Sequence, residues 1–147
     1  MIRGLFETHI DVADLDRARR FYAETLGLVL GFLDEERRVA FSWVGPRGES
    51  MLGLWEKPAD QIRPQHFAFR ASIEDVLTRA VPYLNERDLP SRNFLNDGTE
   101  RPMVFGWMPA LAISSTIRTA TPSNSSRCCR TSHAQRSVSC RGASGSD

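Results

Sequence analysis

One order of strand-like and helix-like segments occurs twice in the first 113 residues, and this repeat restricts the folds open to the chain. Leu5–Val12 alternates polar and apolar residues, which predicts a strand. Asp14 then predicts a helix N-cap, and an apolar stripe to Thr25 followed by Gly27 predicts the helix and its end. Three further strands are predicted from runs bounded by turn residues, at Leu28–Leu33, Arg38–Val44 and Ser50–Trp55.

The same order begins again after a polar, proline-containing connector at Lys57–Arg63. Gln65–Arg70 predicts a strand, and Ser72 with Asp75 forms the capping-box pattern that opens a second helix. Pro82 is expected to kink or shorten that helix. Two strands are then predicted, near Ser91–Leu95 and at Met103–Ile113. The second repeat therefore ends one strand short of the first.

The composition changes abruptly after Ile113, between a body (residues 1–113) and a tail (residues 114–147). The body contains every aromatic residue and all but one of the 18 acidic residues. The tail contains five Arg, all three Cys and many Ser and Thr. Because such a segment has almost no large apolar side chain to bury, we expect it to be disordered. The net charge of +1 is thus the sum of an acidic body and a basic tail.

Composition and motifs exclude several classes of function. No run approaches the roughly 18 apolar residues of a membrane span, and the N-terminus lacks the layout of a signal peptide, so we expect a cytoplasmic protein without a membrane partner. The diluted Arg residues of the tail do not support a nucleic-acid partner. The tail cysteines do not follow zinc-ligand spacing, and the body has neither a P-loop nor a Gly-x-Ser-x-Gly motif.

Two stretches of the body resemble the vicinal oxygen chelate superfamily, which groups glyoxalase I, bleomycin-resistance proteins, fosfomycin-resistance thiol transferases and extradiol dioxygenases. They are Thr8–Leu28, with its Asp14-Leu15, Phe21-Tyr22 and Leu26-Gly27-Leu28 motifs, and Gln65–Val76. The resemblance covers about residues 4–113. It implies an α+β fold of two βαβββ modules whose curved sheets form a cup around a divalent metal. The modules would be residues 1–56 and 64–113, with the last strand missing or replaced by a disordered tail, residues 114–147.

The codons of the tail can also be read in a second reading frame. Superfamily members end with a Phe-x-Asp-Pro-Asp-Gly turn and a strand that carries a Glu, whereas Ile113 is followed by Ser114-Ser115-Thr116. When the third base of each tail codon is joined to the first two bases of the next codon, the amino-acid sequence translated in this frame is compatible with F-H-D-P-D-G-H-x-L-E-F. We therefore predict a frameshift just after Ile113, which DNA sequencing would confirm or refute.

The resemblance also implies the metal ligands, one on the first strand of each module and a Glu on the last strand. Counting back from Asp14 places the first ligand, and the catalytic base, at Glu7; His9 lies on the same strand face and is the alternative. His66, which opens the first strand of the second module, is the second ligand. We favour Glu7 over His9, and the third ligand is absent from this frame. Without the resemblance, Glu7 would be a solvated residue and His66 a core histidine.

The function implied is a metal-dependent lyase, transferase or dioxygenase that acts on a small oxygen-rich substrate, impaired in this chain because the third ligand is missing. The metal would be Zn, Ni, Mn, Fe or Mg, and the protein a homodimer. Two alternatives stay open: a metal-free protein that binds and sequesters a drug, and a non-functional product whose unpaired sheet edge aggregates. Four aromatic residues are either core or cup lining, namely Phe67, Phe69, Phe105 and Trp107.

Overall fold

The structure, a computed structural model, describes residues 1–108, 110–118 and 127–135. Its elements are, in chain order, β1 (Glu7–Val12), α1 (Leu15–Arg20) continued by a π-helical turn (Phe21–Thr25), β2 (Val29–Asp34), β3 (Val39–Trp43), β4 (Met51–Glu56), β5 (His66–Arg70), α2 (Ile73–Thr78), α3 (Ala80–Asn85), β6 (Ser91–Arg92), β7 (Met103–Phe105), β8 (Ala110–Arg118) and β9 (Arg127–Gln135). No helix among these residues is long and apolar enough to cross a membrane.

The strands form two curved, unclosed sheets, which confirms the predicted α+β fold. The first sheet has the order β1-β4-β3-β2, with β1 parallel to β4 and the other neighbours antiparallel. The second has the order β5-β9-β8-β6, and β7 pairs with β8 outside this path. Because α1 connects β1 to β2, the first sheet and its helix make one complete βαβββ motif.

The helix after β1 begins and ends as its sequence predicts. The carboxylate of Asp14 accepts a hydrogen bond of 2.9 Å from the backbone N–H of Arg17, which makes Asp14 the N-cap. The helical segment stops at Gly27, whose φ of 71° lies in the left-handed region that favours glycine. There the N–H of Gly27 donates to the carbonyl of Ala23.

Alternation along the strands of the first sheet puts its apolar side chains against α1. Leu15 and Tyr22 contribute the helical side of this core and are almost fully buried. The strand residues that share the buried face are Ile10, Val12, Ala40, Leu52 and Leu54. Because side chains alternate between the two faces of a strand, the remaining residues of β1, β3 and β4 lie on the face of the sheet opposite α1.

Glu56, at the end of β4, holds the start of α1 against the sheet. Its Oε2 accepts a hydrogen bond of 2.7 Å from the backbone N–H of Leu15, one of the N–H groups without a partner inside the helix. The same oxygen lies 3.0 Å from Nη2 of Arg38, which also bonds Asp16 on α1. Hydrogen bonds from Arg38 and then from Leu15 lower the pKa of the Glu56 carboxyl below its usual range.

The second helical region differs from a single helix with a kink. Ser72 caps α2 as predicted, because its Oγ accepts from the backbone N–H of Asp75 at 3.0 Å. The helix stops at Thr78, and α3 begins after Arg79. Pro82 explains this position, since a proline ring clashes with the carbonyl four residues earlier, which is that of Thr78.

The predicted strand Met103–Ile113 is instead a hairpin. Met103–Phe105 forms β7, which pairs antiparallel with Leu111 and its neighbours in β8. The chain reverses after Phe105, whose carbonyl accepts a hydrogen bond of 3.3 Å from the N–H of Met108. Gly106 is the turn residue that the apolar run around it obscured. The strand predicted near Ser91–Leu95 is also shorter, with Ser91 and Arg92 alone in β6.

The compositional break at Ile113 does not coincide with the end of a strand. β8 continues to Arg118, and Ser114, Ser115 and Ile117 are all buried. Ser115 pairs with Ser91 of β6 and donates its hydroxyl to the carbonyl of Pro90 at 3.1 Å. Small polar residues therefore extend the strand, since a hydroxyl needs only one partner when buried.

A second difference concerns the last strand, which the sequence was expected to lack. The backbone of Arg127–Gln135 forms β9, between β5 and β8. Strand pairing uses backbone groups that every sequence has, and two unpaired edges would otherwise remain at this place. The rest of the tail for which disorder was predicted, residues 119–126 and 136–147, lies outside the described residues.

Substituting Glu56 tests its hold on α1. We expect Glu56→Ala to lower the free energy of unfolding by about 1–2 kcal/mol, because the N–H of Leu15 loses its acceptor. Glu56→Gln should cost less, since the amide oxygen can still accept. Urea unfolding followed by circular dichroism measures both values. Glu49→Ala, in the exposed turn before β4, is the control; an equal loss in the control would contradict this role.

Candidate ligand-binding face of the first sheet

The two candidate ligands on β1 lie on the face of the first sheet that points away from α1. Glu7 and His9 alternate with the buried residues of β1, so both side chains share this face. Across the sheet, His9 lies opposite Gly53 of β4, and Gly53 lies opposite Phe41 of β3. These three residues form a row in which the glycine separates two rings.

The imidazole of His9 is surrounded by two aromatic rings and one carboxylate. Its ring centroid lies 5.3 Å from that of Phe41, at 77°, and 5.3 Å from that of Trp55, at 32°. Its Nε2 lies 3.4 Å from Oε1 of Glu7. Both side chains are more than 40% exposed, so this contact, which is an ion pair only when the imidazole is protonated, contributes little to stability.

Gly53 makes this arrangement possible because it has no side chain. A Cβ at position 53 would lie 2.7 Å from Cδ2 of His9 and 3.0 Å from Cε1 of Phe41. Both rings therefore fold over the backbone of β4 into space that any other residue would fill.

The row belongs to a larger surface, which we call the aromatic face. It consists of His9, Phe41, Trp43, Met51 and Trp55, and none of its members is buried. At one end Trp43 meets Phe6 edge to face, with ring centroids 6.5 Å apart. A half-exposed set of rings on a rigid sheet is suited to stack against a planar or apolar molecule.

His66, the other candidate ligand, is exposed at the start of β5. The residue before it is tied to β1: the side-chain amide of Gln65 accepts from the N–H of Asp11 at 2.8 Å and donates to its carbonyl at 3.2 Å. The Gln65 side chain thus makes with Asp11 the two backbone hydrogen bonds that a neighbouring strand would make. None of the described ion pairs or ring contacts joins His66 to Glu7 or His9.

The donor set does not fit a complete divalent-metal site. A site of the expected kind needs about three protein ligands. Within residues 1–108, 110–118 and 127–135 there is no group of three or more His, Cys, Asp or Glu side chains that could hold a metal ion. The structure brings Oε1 of Glu7 and Nε2 of His9 to 3.4 Å, and no described ion pair joins either of them to His66.

A groove of about 420 Å³ lies on the other side of the first sheet, between the helical segment and strands β2 and β3. Its lining contains none of the candidate ligands and consists of Asp16, Arg19, Arg20, Ala23, Glu24, Leu30 and Ser42. Arg19 already lies 3.3 Å from Asp16. Because most of this lining is charged and it contains no aromatic ring, the aromatic face is the better candidate for binding an organic molecule by stacking.

Sequence reasoning missed most of the aromatic face. It singled out later aromatic residues, of which Phe105 is buried in the core and Trp107 is 82% exposed. The available signal was the alternation of Phe41 with Trp43 and of Met51 with Trp55, which puts both pairs on one face. That alternation was visible, but the side of the sheet that α1 covers was not.

Comparison with protein families finds no family model that matches the sequence, and comparison with curated proteins likewise finds no match. Solved structures do match. An integron cassette protein from the mobile metagenome of the Halifax Harbour sewage outfall is 27% identical, covering 89% of this chain and 99% of that one, with a TM-score of 0.72.

Two other similar structures carry functional names. A glyoxalase/bleomycin resistance protein/dioxygenase superfamily member from Sphaerobacter thermophilus is 18% identical, covering 91% of this chain and 98% of that one, with a TM-score of 0.61. The fosfomycin resistance protein FosX from Listeria monocytogenes, in complex with Mn(II) and sulfate, is 18% identical, covering 92% and 93%, with a TM-score of 0.61. At these identities the likeness shows the fold.

Substituting Gly53 tests the packing of the row. We expect Gly53→Ala to move the His9 imidazole and to destabilise the protein by about 1–3 kcal/mol, because the new methyl group would overlap two rings. Imidazole resonances in an NMR spectrum report the movement, and thermal unfolding reports the stability. Gly4→Ala, whose Cβ would meet nothing within 4 Å, is the matched control. Unchanged imidazole resonances in Gly53→Ala would contradict the geometry.

Proposed function

We propose that this chain, which has the fold of the vicinal oxygen chelate superfamily, binds a small planar organic molecule on its aromatic face. The observation that carries the proposal is the ring arrangement around His9, with Phe41 and Trp55 each at 5.3 Å over Gly53. Exposed rings held in place by a sheet lose little conformational freedom when a ligand stacks on them. This is the metal-free binding and sequestration that we considered from the sequence.

The polar groups of the same face would orient the ligand. Glu7 and Asp11 belong to the same strand face as His9, and their carboxylates can only accept hydrogen bonds when ionised. His9 can donate or accept. A bound molecule would therefore combine a ring that stacks with polar substituents at its border.

We further propose that metal-dependent lyase or transferase activity requires the reading frame that this chain has lost. Glu7 and His66 would be two of the ligands, and the Glu encoded out of frame the third. FosX, which shares the fold, was crystallised with Mn(II). The chain as it stands would be impaired as an enzyme and would still retain the aromatic face.

The remaining expectations are a homodimer and a cytoplasmic location. β2 is an edge of the first sheet and exposes Val29, Leu30 and Phe32, an apolar strip that a second copy of the chain would cover. If the chain is instead a non-functional product with an unpaired sheet edge, the alternative raised by its sequence, the same strip would promote aggregation.

Binding to the aromatic face can be tested with a neutral aromatic probe, 2-naphthamide, and with bleomycin, the compound named for relatives of this fold. We expect saturable binding by isothermal titration calorimetry. Trp43→Ala should weaken it about tenfold, because a Trp that covers a ligand typically contributes more than about 1 kcal/mol.

The matched control is Trp107→Ala, which removes an exposed Trp from outside the face. Affinity in this variant should equal that of the unaltered chain. Absence of saturable binding for both probes, or equal loss in both variants, would refute the proposed function.

The metal proposal is tested with a version whose frame is restored after codon 113. We expect that version to bind one Mn²⁺ per chain by calorimetry and the present chain to bind none with comparable affinity. Glu7→Gln and His66→Gln in the restored version should each reduce affinity at least about 100-fold.

His9→Gln decides between the two β1 candidates. If Glu7 is the ligand, His9→Gln should change affinity much less than Glu7→Gln does. Equal Mn²⁺ binding by the present and restored chains would contradict a third ligand encoded out of frame.

A further inference from the structure

Two cations lie at one end of the aromatic face, beside Trp55. The guanidinium carbon of Arg37 lies 5.5 Å from the centroid of the Trp55 ring, and Nζ of Lys57 lies 5.9 Å from it. Arg37 is exposed and Lys57 half-buried, so both charged groups can reach a molecule on this face.

The two cations come from chain segments on either side of the Trp55 ring. Arg37 belongs to the turn that leads into β3, and Lys57 follows the end of β4 two residues after Trp55. Like charges beside one ring repel each other, so an anion bound between them would relieve this repulsion.

Neither cation forms an ion pair within 4.0 Å with a carboxylate of the part of the chain that the structure describes. The described ion pairs involve four other arginines, Arg19, Arg38, Arg79 and Arg87. Asp34 is close in the chain, but its carboxylate accepts the backbone N–H of Arg37 at 2.9 Å. Asp11, which pairs with Trp55 in the register, forms no ion pair within 4 Å of either cation among those residues.

We propose that Arg37 and Lys57, the two cations beside the Trp55 ring, bind the anionic group of the ligand. The inference rests on the proposed function, since it assigns one end of the aromatic face to an anion and the rest to the ring. The ligand class is thus an aromatic acid, with a carboxylate or phosphate-like group attached to a planar ring.

The test compares 2-naphthoate with 2-naphthamide, two probes of the same shape that differ in charge, by calorimetry on the full chain. We expect naphthoate to bind more tightly in low salt and to lose that advantage in about 0.5 M NaCl, because salt screens exposed charges. The double variant Arg37→Gln, Lys57→Gln should weaken naphthoate binding about tenfold and leave naphthamide binding unchanged.

A second double variant, Arg3→Gln, Arg47→Gln, is the control, since it removes the same charge from two exposed arginines outside the face. Its affinity for naphthoate should equal that of the unaltered chain. If naphthamide binds and naphthoate binds no better, the anion site is refuted while the proposed function stands. If neither probe binds, both are refuted.

Discussion

The hydrogen bonds accepted by the carboxylate of Glu56 join the parts of the first βαβββ motif. The carboxylate receives the first free N–H of α1 at 2.7 Å and the guanidinium of Arg38 at 3.0 Å, so a helix, a turn and a strand end meet at one side chain. Because α1 is held against one face of the sheet, the opposite face stays uncovered by its own module. The aromatic face is available because the buried apolar residues of the other face, together with this anchor, hold the helix there.

Much of the fold follows from local sequence. Asp14, Ser72 and Gly27 mark helix ends through hydrogen bonds and a backbone conformation that depend only on near neighbours, and the structure has each of them in place. Pro82 correctly predicted that the second helix is interrupted. The interruption lies at Thr78 rather than at Pro82, because the proline ring clashes with the carbonyl four residues earlier. The hairpin at Gly106 was missed because an apolar run hides a turn when pattern alone is considered.

The candidate site could be predicted only in part. Alternation put Glu7 and His9 on one strand face, and the structure places their side chains 3.4 Å apart. Which rings surround them depends on the register between β1, β4 and β3, and register is set by pairing across the sheet rather than by any short segment. Gly53 shows this most clearly, since its role appears only when His9 and Phe41 lie on either side of it.

Ser115 carries a wider consequence. Its side chain is fully buried and its hydroxyl is satisfied by the carbonyl of Pro90, although it belongs to a stretch whose composition matches no core. A strand position accepts a small polar residue when the hydroxyl finds one acceptor, whatever the composition of the surrounding segment. Composition therefore does not tell which single residues of a polar segment enter a core, because that depends on the backbone carbonyl that each one meets.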